Sequence, residues 1–299
     1  MLNPIDACPA LPGRPAYAHT ERGTIHYLEA GAGPPLLLLH ATPGSHRAFH
    51  ALMPLLATRF RTIAVDTPGY GNSAPLPGPV SVDDMARSMV ALLDALSLQR
   101  THVLGLHTGN KIGAALAADW PQRVDRVVLA GQTHSLIVDR STRDAAIREL
   151  VDHYFPRFAA SSLSADGAHH VRRWLMVQAD VLPLWWPPAL LAGAAVTAEQ
   201  TANAESMVID HLLGWRSIVP TYEAIFDFDL AAAMRRMTAP TLVLELHSAH
   251  EAHFGAQAPL ICSQMFNAQP LVLQGLDAGV FRTHPRTVAD AVIPFLGAS

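Results

Sequence analysis

The chain has 299 residues, half of them apolar and 15% charged, which excludes a disordered polymer and leaves enough apolar side chains for a large core. Its formal net charge is −4, so no basic surplus exists to neutralise phosphates, and nucleic acid is not an expected partner. At roughly 150 residues per domain the length fits two domains, or one large α/β domain carrying an insertion.

In chain order, residues 16–22 and 24–30 read as a hairpin turned at Arg22-Gly23, and 35–40 (PLLLLH) as a buried strand. A helix is expected over about 46–57, then a strand over 61–66 (RTIAVD) that runs into TPGYGNS. Helix 82–97, strand 101–106, helix 108–119 and strand 124–131 follow. Runs of leucine and β-branched residues such as these belong to parallel strands covered on both faces. From about 133 to 230 helical patterns replace the alternation, and Trp174, Trp185, Trp186 and Trp215 appear there. The alternation resumes with strand 241–246, helix 255–265, strand 269–274 and helix 286–296. The fold expected is α/β, a mostly parallel central sheet with helices on both faces. The core halves are 1–132 and 233–299, split by a helical insertion at 133–232.

Cys8 and Cys262 stand alone, without metal or redox spacing, which suggests a reducing, cytoplasmic compartment. The N-terminus lacks the basic start and apolar stretch of a signal peptide. Residues 181–198 run without a charge, but Pro183, Pro187 and Pro188 interrupt them, so a buried segment is expected rather than a membrane span.

The most informative stretch is VLGLHTGNKIGAALA. Gly105-x-His107-x-Gly109 has the spacing of a nucleophile elbow, G-x-S-x-G, between a strand and a helix. Upstream, His40-Ala41-Thr42-Pro43-Gly44 follows a strand. With VDTPGYGNS, VVLAG, APTLVL and HPRTVADAVIPFL, the chain resembles the α/β-hydrolase superfamily over nearly its whole length. The resemblance implies the α/β-hydrolase fold with a helical cap at 133–232. It also implies an oxyanion site built from the backbone N–H groups of Thr42 and Thr108. At the three triad positions it finds substitutions. His107 replaces the nucleophile, a gapless count puts the acid at Ala249 beside Ser248, and the histidine at Ala278 after Asp277. A Ser-His-Asp triad is therefore not expected.

His107 is read as a hydrogen-bond donor, acid/base or nucleophile aimed into a pocket, with a drifted relic as the bland alternative. Asp277, His247 and His250 are candidate acid/base groups, and His134 is a further candidate to face the site. His247 and His250 belong to Glu245-Leu-His247-Ser-Ala-His250-Glu251-Ala-His253, which is neither H-E-x-x-H nor on one helical face, so no metal is expected. His40 reads as a loop brace, and Asp66 and Gly71 as scaffold. Trp174, Trp185, Trp186, Trp215, Met176 and Met207 are expected to line or brace an apolar chamber. The reading calls for an apolar small-molecule carbonyl substrate, no cofactor, and an unspecified oligomeric state. Acid/base chemistry at His107 of the lyase, isomerase or cyclase type is preferred. The alternatives are hydrolysis of an ester, lactone or thioester, and a non-catalytic binding protein on the same fold.

Overall fold

The computed structural model describes residues 11–148, 164–177, 198–276 and 279–297. Eight strands form one sheet: β1 (Arg14–Thr20), β2 (Gly23–Ala30), β3 (Pro35–Leu39), β4 (Arg61–Val65), β5 (Thr101–Leu106), β6 (Val124–Gln132), β7 (Thr241–His247) and β8 (Ala268–Gln274). Their order is β1-β2-β4-β3-β5-β6-β7-β8. The first three in that order pair antiparallel and the rest parallel. From β3 the chain moves one way to β4 and the other way to β5. This reversal is the switch point at which α/β sheets open a crevice beyond their strand carboxyl ends.

The period of two along a strand divides the core into two layers. On one face Leu37, Leu39, Ile63, Val65 and Val103 pack against Met85, Met89 and Ile112. Met85 and Met89 belong to α2 (Val82–Ala95), and Ile112 to α3 (Thr108–Asp119). On the other face Leu36, Leu38, Ala64 and Leu104 meet Met53 of α1 (Met53–Leu56) and Val288 and Val292 of the C-terminal helix. The Ser81 hydroxyl accepts from the Asp84 N–H and caps α2.

The helix expected over 46–57 is a 3-10 turn, His46–Phe49, followed by α1, which begins at Met53-Pro54 because proline fits a first helical turn. Between β6 and β7 lie α4 (Thr133–Leu136), α5 (Ala168–Met176), α6 (Ala198–Asp227) and α7 (Leu230–Arg236). After β7 come α8 (Ala258–Cys262), shorter than the helix expected over 255–265, then α9 (Val280–Thr283) and α10 (Pro285–Leu296). No described helix is long and apolar enough to cross a membrane.

α6 lies over the loops after β3 and β4. The Tyr70 hydroxyl donates to the Ser217 carbonyl (3.0 Å) and stands 2.9 Å from the Thr221 hydroxyl, which is free to donate back to it. Gly214 lets the helix rest on the Tyr70 ring, since a Cβ there would come within 2.6 Å of it. Asp210 receives the Ser45 hydroxyl at 2.7 Å and the Arg47 guanidinium at 3.0 Å.

The expected chamber of tryptophans is corrected in part. Trp174 is 38% exposed and shares an exposed side of α5 with Val171 and Leu175. A residue's bulk does not choose its helix face; only His169 is buried within this helix. Trp215 is buried with Val177 and Val208, with the Arg173 guanidinium 4.7 Å over its ring. Trp185 and Trp186 fall outside the described residues.

Candidate active site

His107 caps α3 with φ 50° and ψ −105°, one of two non-glycine residues at positive φ among those described. Such a conformation costs roughly 1–3 kcal/mol. It persists because the flanking glycines have no room for anything larger: a Cβ at Gly105 would stand 2.2 Å from the Gly109 carbonyl oxygen, and one at Gly109 2.1 Å from that of Leu39. The His107 N–H donates to the Ala130 carbonyl (3.0 Å) and the Gly109 N–H to that of His40 (3.1 Å), fixing the elbow against both neighbouring strands. The imidazole is buried, and its Nε2 has no hydrogen-bond partner. Burial first, then His134 and Lys111, hold its pKa well below the ordinary histidine value, so the ring is neutral at pH 7.

The His134 ring stands 5.6 Å from that of His107, tilted by 31°. Its Nδ1 lies 2.5 Å from Oε1 of Glu251, and its backbone N–H donates to the same oxygen at 3.0 Å. The Ser248 hydroxyl donates to Oε2 at 3.2 Å. Burial alone would raise the pKa of Glu251, but its hydrogen bonds and the His134 charge outweigh it and hold the carboxyl below its usual range. A proton on Nδ1 directed at Glu251 leaves Nε2 as the basic atom of neutral His134. Glu251 was not singled out from the sequence, although it stands in the histidine-rich run. The gapless count stopped at Ala249, whereas a 3-10 turn over Ala249–Phe254 brings the carboxylate in two residues later.

The Thr42 N–H donates to the Thr108 hydroxyl at 3.2 Å, and the Thr42 carbonyl accepts from the Tyr222 hydroxyl of α6 at 3.1 Å. The Thr108 N–H is at the first helical position, where an intrahelical acceptor does not exist. His40 braces this loop: Nδ1 donates to the Ala41 carbonyl (2.8 Å), Nε2 accepts from the Thr67 N–H (3.1 Å), and burial keeps the ring neutral.

Residues 34–220 match the family of the alpha/beta hydrolase fold. The chain belongs to the α/β-hydrolase superfamily. A candidate carbamate hydrolase, RutD, of Variovorax paradoxus is 30% identical, over 80% of this chain and 82% of its own. Haloalkane dehalogenase 2 of Mycobacterium tuberculosis is 36% identical over a shorter stretch, 37% of this chain and 39% of its own. Among solved structures, a hydrolase from Pseudomonas aeruginosa superposes with a TM-score of 0.71 at 27% identity, covering 96% of this chain and 99% of that one. These relatives are named as enzymes, and the present chain is a superfamily enzyme with histidine at its elbow.

Other predicted residues of this α/β-hydrolase chain take different places. His247 is half-buried, its Nδ1 2.9 Å from the Thr133 hydroxyl, which itself donates to Oε1 of Glu245 at 2.7 Å. Buried Glu245 also accepts the Gln257 and Ala258 N–H groups, both at 2.8 Å, at the start of α8. His250 is exposed and is not brought to the elbow, because the 3-10 turn directs neighbouring Glu251 inward. Asp277 lies outside the described residues.

Among the described residues, one set of three metal-ligand-type side chains converges: His26, His46 and Asp66. Asp66 accepts Nδ1–H of both histidines at 2.8 Å, the His46 N–H at 2.8 Å and the Asn72 N–H at 2.9 Å. Four donors fill the carboxylate, so hydrogen bonding accounts for the cluster without an ion. A groove of about 600 Å³ bordered by Arg126, Pro240, Asn267 and Phe295 is at the opposite ends of β7 and β8, away from the elbow.

Proposed function

We propose that the protein hydrolyses a small, largely apolar acyl compound of the ester or carbamate class. In this reading His134 is the general base and Glu251 orients it. His134 Nε2 removes a proton from a water as the water oxygen adds to the substrate carbonyl. The carbonyl oxygen becomes an oxyanion held by the N–H groups of Thr42 and Thr108. Collapse breaks the bond to the leaving group, which takes its proton back from the His134 imidazolium, while Glu251 stabilises that cation. Neutral His107, at the elbow, hydrogen-bonds the water or the substrate. The single observation that carries this reading is the Nδ1 bond from His134 to buried Glu251, next to an elbow imidazole with an unused nitrogen. The names of the relatives support hydrolysis over the lyase or isomerase chemistry that the substituted triad first suggested.

One feature favours proton transfer without hydrolysis as a second reading: the elbow carries no serine, cysteine or aspartate. The same base would then move a proton on a bound carbonyl compound. Turnover of 4-nitrophenyl acetate and a 4-nitrophenyl carbamate in H2¹⁸O distinguishes the two, since hydrolysis places one ¹⁸O in the product. His134→Asn is expected to lower kcat/KM about 100-fold or more. A folded His134→Asn protein with undiminished turnover overturns the assignment.

A further inference from the structure

Lys111 is the chain's single lysine among 21 basic residues, and it is 2% exposed. It stands four residues after His107, one turn along the same face of α3. Its Nζ donates to the Ser135 carbonyl at 2.5 Å, the residue next to His134. Two further bonds close the same turn: the Asn110 side-chain amide donates to the Ala130 carbonyl (3.1 Å), and the Ser135 hydroxyl to that of Gln132 (2.9 Å). Of the three, only the lysine bond joins the elbow helix directly to the segment that bears His134.

An apolar side chain would fill this place at lower cost, because a buried amine with a single carbonyl partner is poorly compensated. Its charged surroundings add to that cost. The buried guanidinium of Arg143 lies nearby, Asp144 offsets it in part, and His107 is on the same helix. Burial and Arg143 lower the amine's pKa well below the usual lysine value, against the pull of Asp144. An arginine would keep its charge here, whereas a lysine can lose its own and still donate.

We propose that Lys111 is a positioning residue: by holding the Ser135 carbonyl to the elbow helix, it sets where the His134 imidazole stands against His107. The proposal rests on the reading of His134 as the base, and its test separates the two. One-bond ¹H–¹⁵N spectra of the downfield region report the His134 Nδ1–H directly, without any substrate. In Lys111→Met, which keeps the volume and loses the donor, that resonance is expected to shift upfield and broaden by exchange. The pH profile for 4-nitrophenyl acetate should move, and kcat should fall about ten- to a hundredfold with little change in KM. A folded Lys111→Met protein with the wild-type His134 resonance and pH profile overturns the proposal. Should Lys111→Met fail to fold, selective lysine labelling of the wild type gives one side-chain signal, expected to shift in His134→Asn; no shift overturns the proposal equally. Absence of turnover in the wild type removes the hydrolytic reading and leaves the spectroscopic test standing.

Discussion

Two histidine–carboxylate groups stand along the same edge of the sheet, where its parallel strands end, and they differ in how fully they are bonded. At β2 and β4, Asp66 receives four donors, its histidines are 3–4% exposed, and a Cβ on Gly71 would meet its Oδ2 at 2.1 Å. At β5, β6 and β7, Glu251 receives three bonds, His134 is half-buried, and His107 keeps an unpaired nitrogen. The same residue types thus serve different ends. A saturated buried carboxylate braces the scaffold, while in the proposed reading the less fully bonded pair exchanges protons with a guest.

The sharpest way to break this contrast is the same acid-to-amide change in both places. Asp66→Asn removes a buried charge that four donors address. It should cost about 3–5 kcal/mol, read as a shift in the urea midpoint. A loss below about 1 kcal/mol would show that the first cluster does not brace the fold. Glu251→Gln keeps an acceptor near His134 and removes the charge, so kcat should fall about ten- to a hundredfold while the urea midpoint barely moves. Equal losses of stability in the two variants would erase the distinction.

A smaller effect concerns pH. His50, whose ring lies 5.1 Å from that of His46, is held down to about 4 from 6.5 by burial, then by His46, Arg47 and Arg282. A histidine whose folded pKa is depressed stabilises the fold fully above its unfolded pKa. That contribution disappears as pH falls from about 6.5 to about 4, and it amounts to about 3 kcal/mol at most. Unfolding free energies at pH 7 and pH 4.5 should therefore differ less in His50→Gln than in the wild type. An unchanged difference would mean that other groups carry the acid sensitivity.

The sheet was legible because its signals are local: uninterrupted leucine and β-branched runs, and glycines spaced so that backbone can pass backbone. The elbow was legible for the same reason, and so was His40 as a brace. The partnership of His134 with Glu251 was not. It depends on β6 lying beside β7 with Gly131 opposite Glu245, and on a 3-10 turn after β7 that no spacing rule announces. His134 was among the sequence candidates without its partner. The tryptophans show the converse limit. Their size marks them for burial, but Trp174 is exposed and Trp215 is packed under a guanidinium, because helix orientation is settled by tertiary contacts.

The bond from the Thr42 N–H to the Thr108 hydroxyl has a consequence for selectivity. A neutral carbonyl oxygen arriving at that amide must evict a hydroxyl, trading one ordinary hydrogen bond for another, with a net gain near zero. An oxygen that has become negative accepts a bond roughly twice as strong, and it wins the competition. In the proposed reading the loop would therefore select for charge density over shape. Ketones and unreacted esters would be held weakly there, and tetrahedral anions such as boronates or phosphonates tightly. Binding energy would be withheld until the substrate begins to react, which is the condition for accelerating the reaction and not merely capturing the substrate.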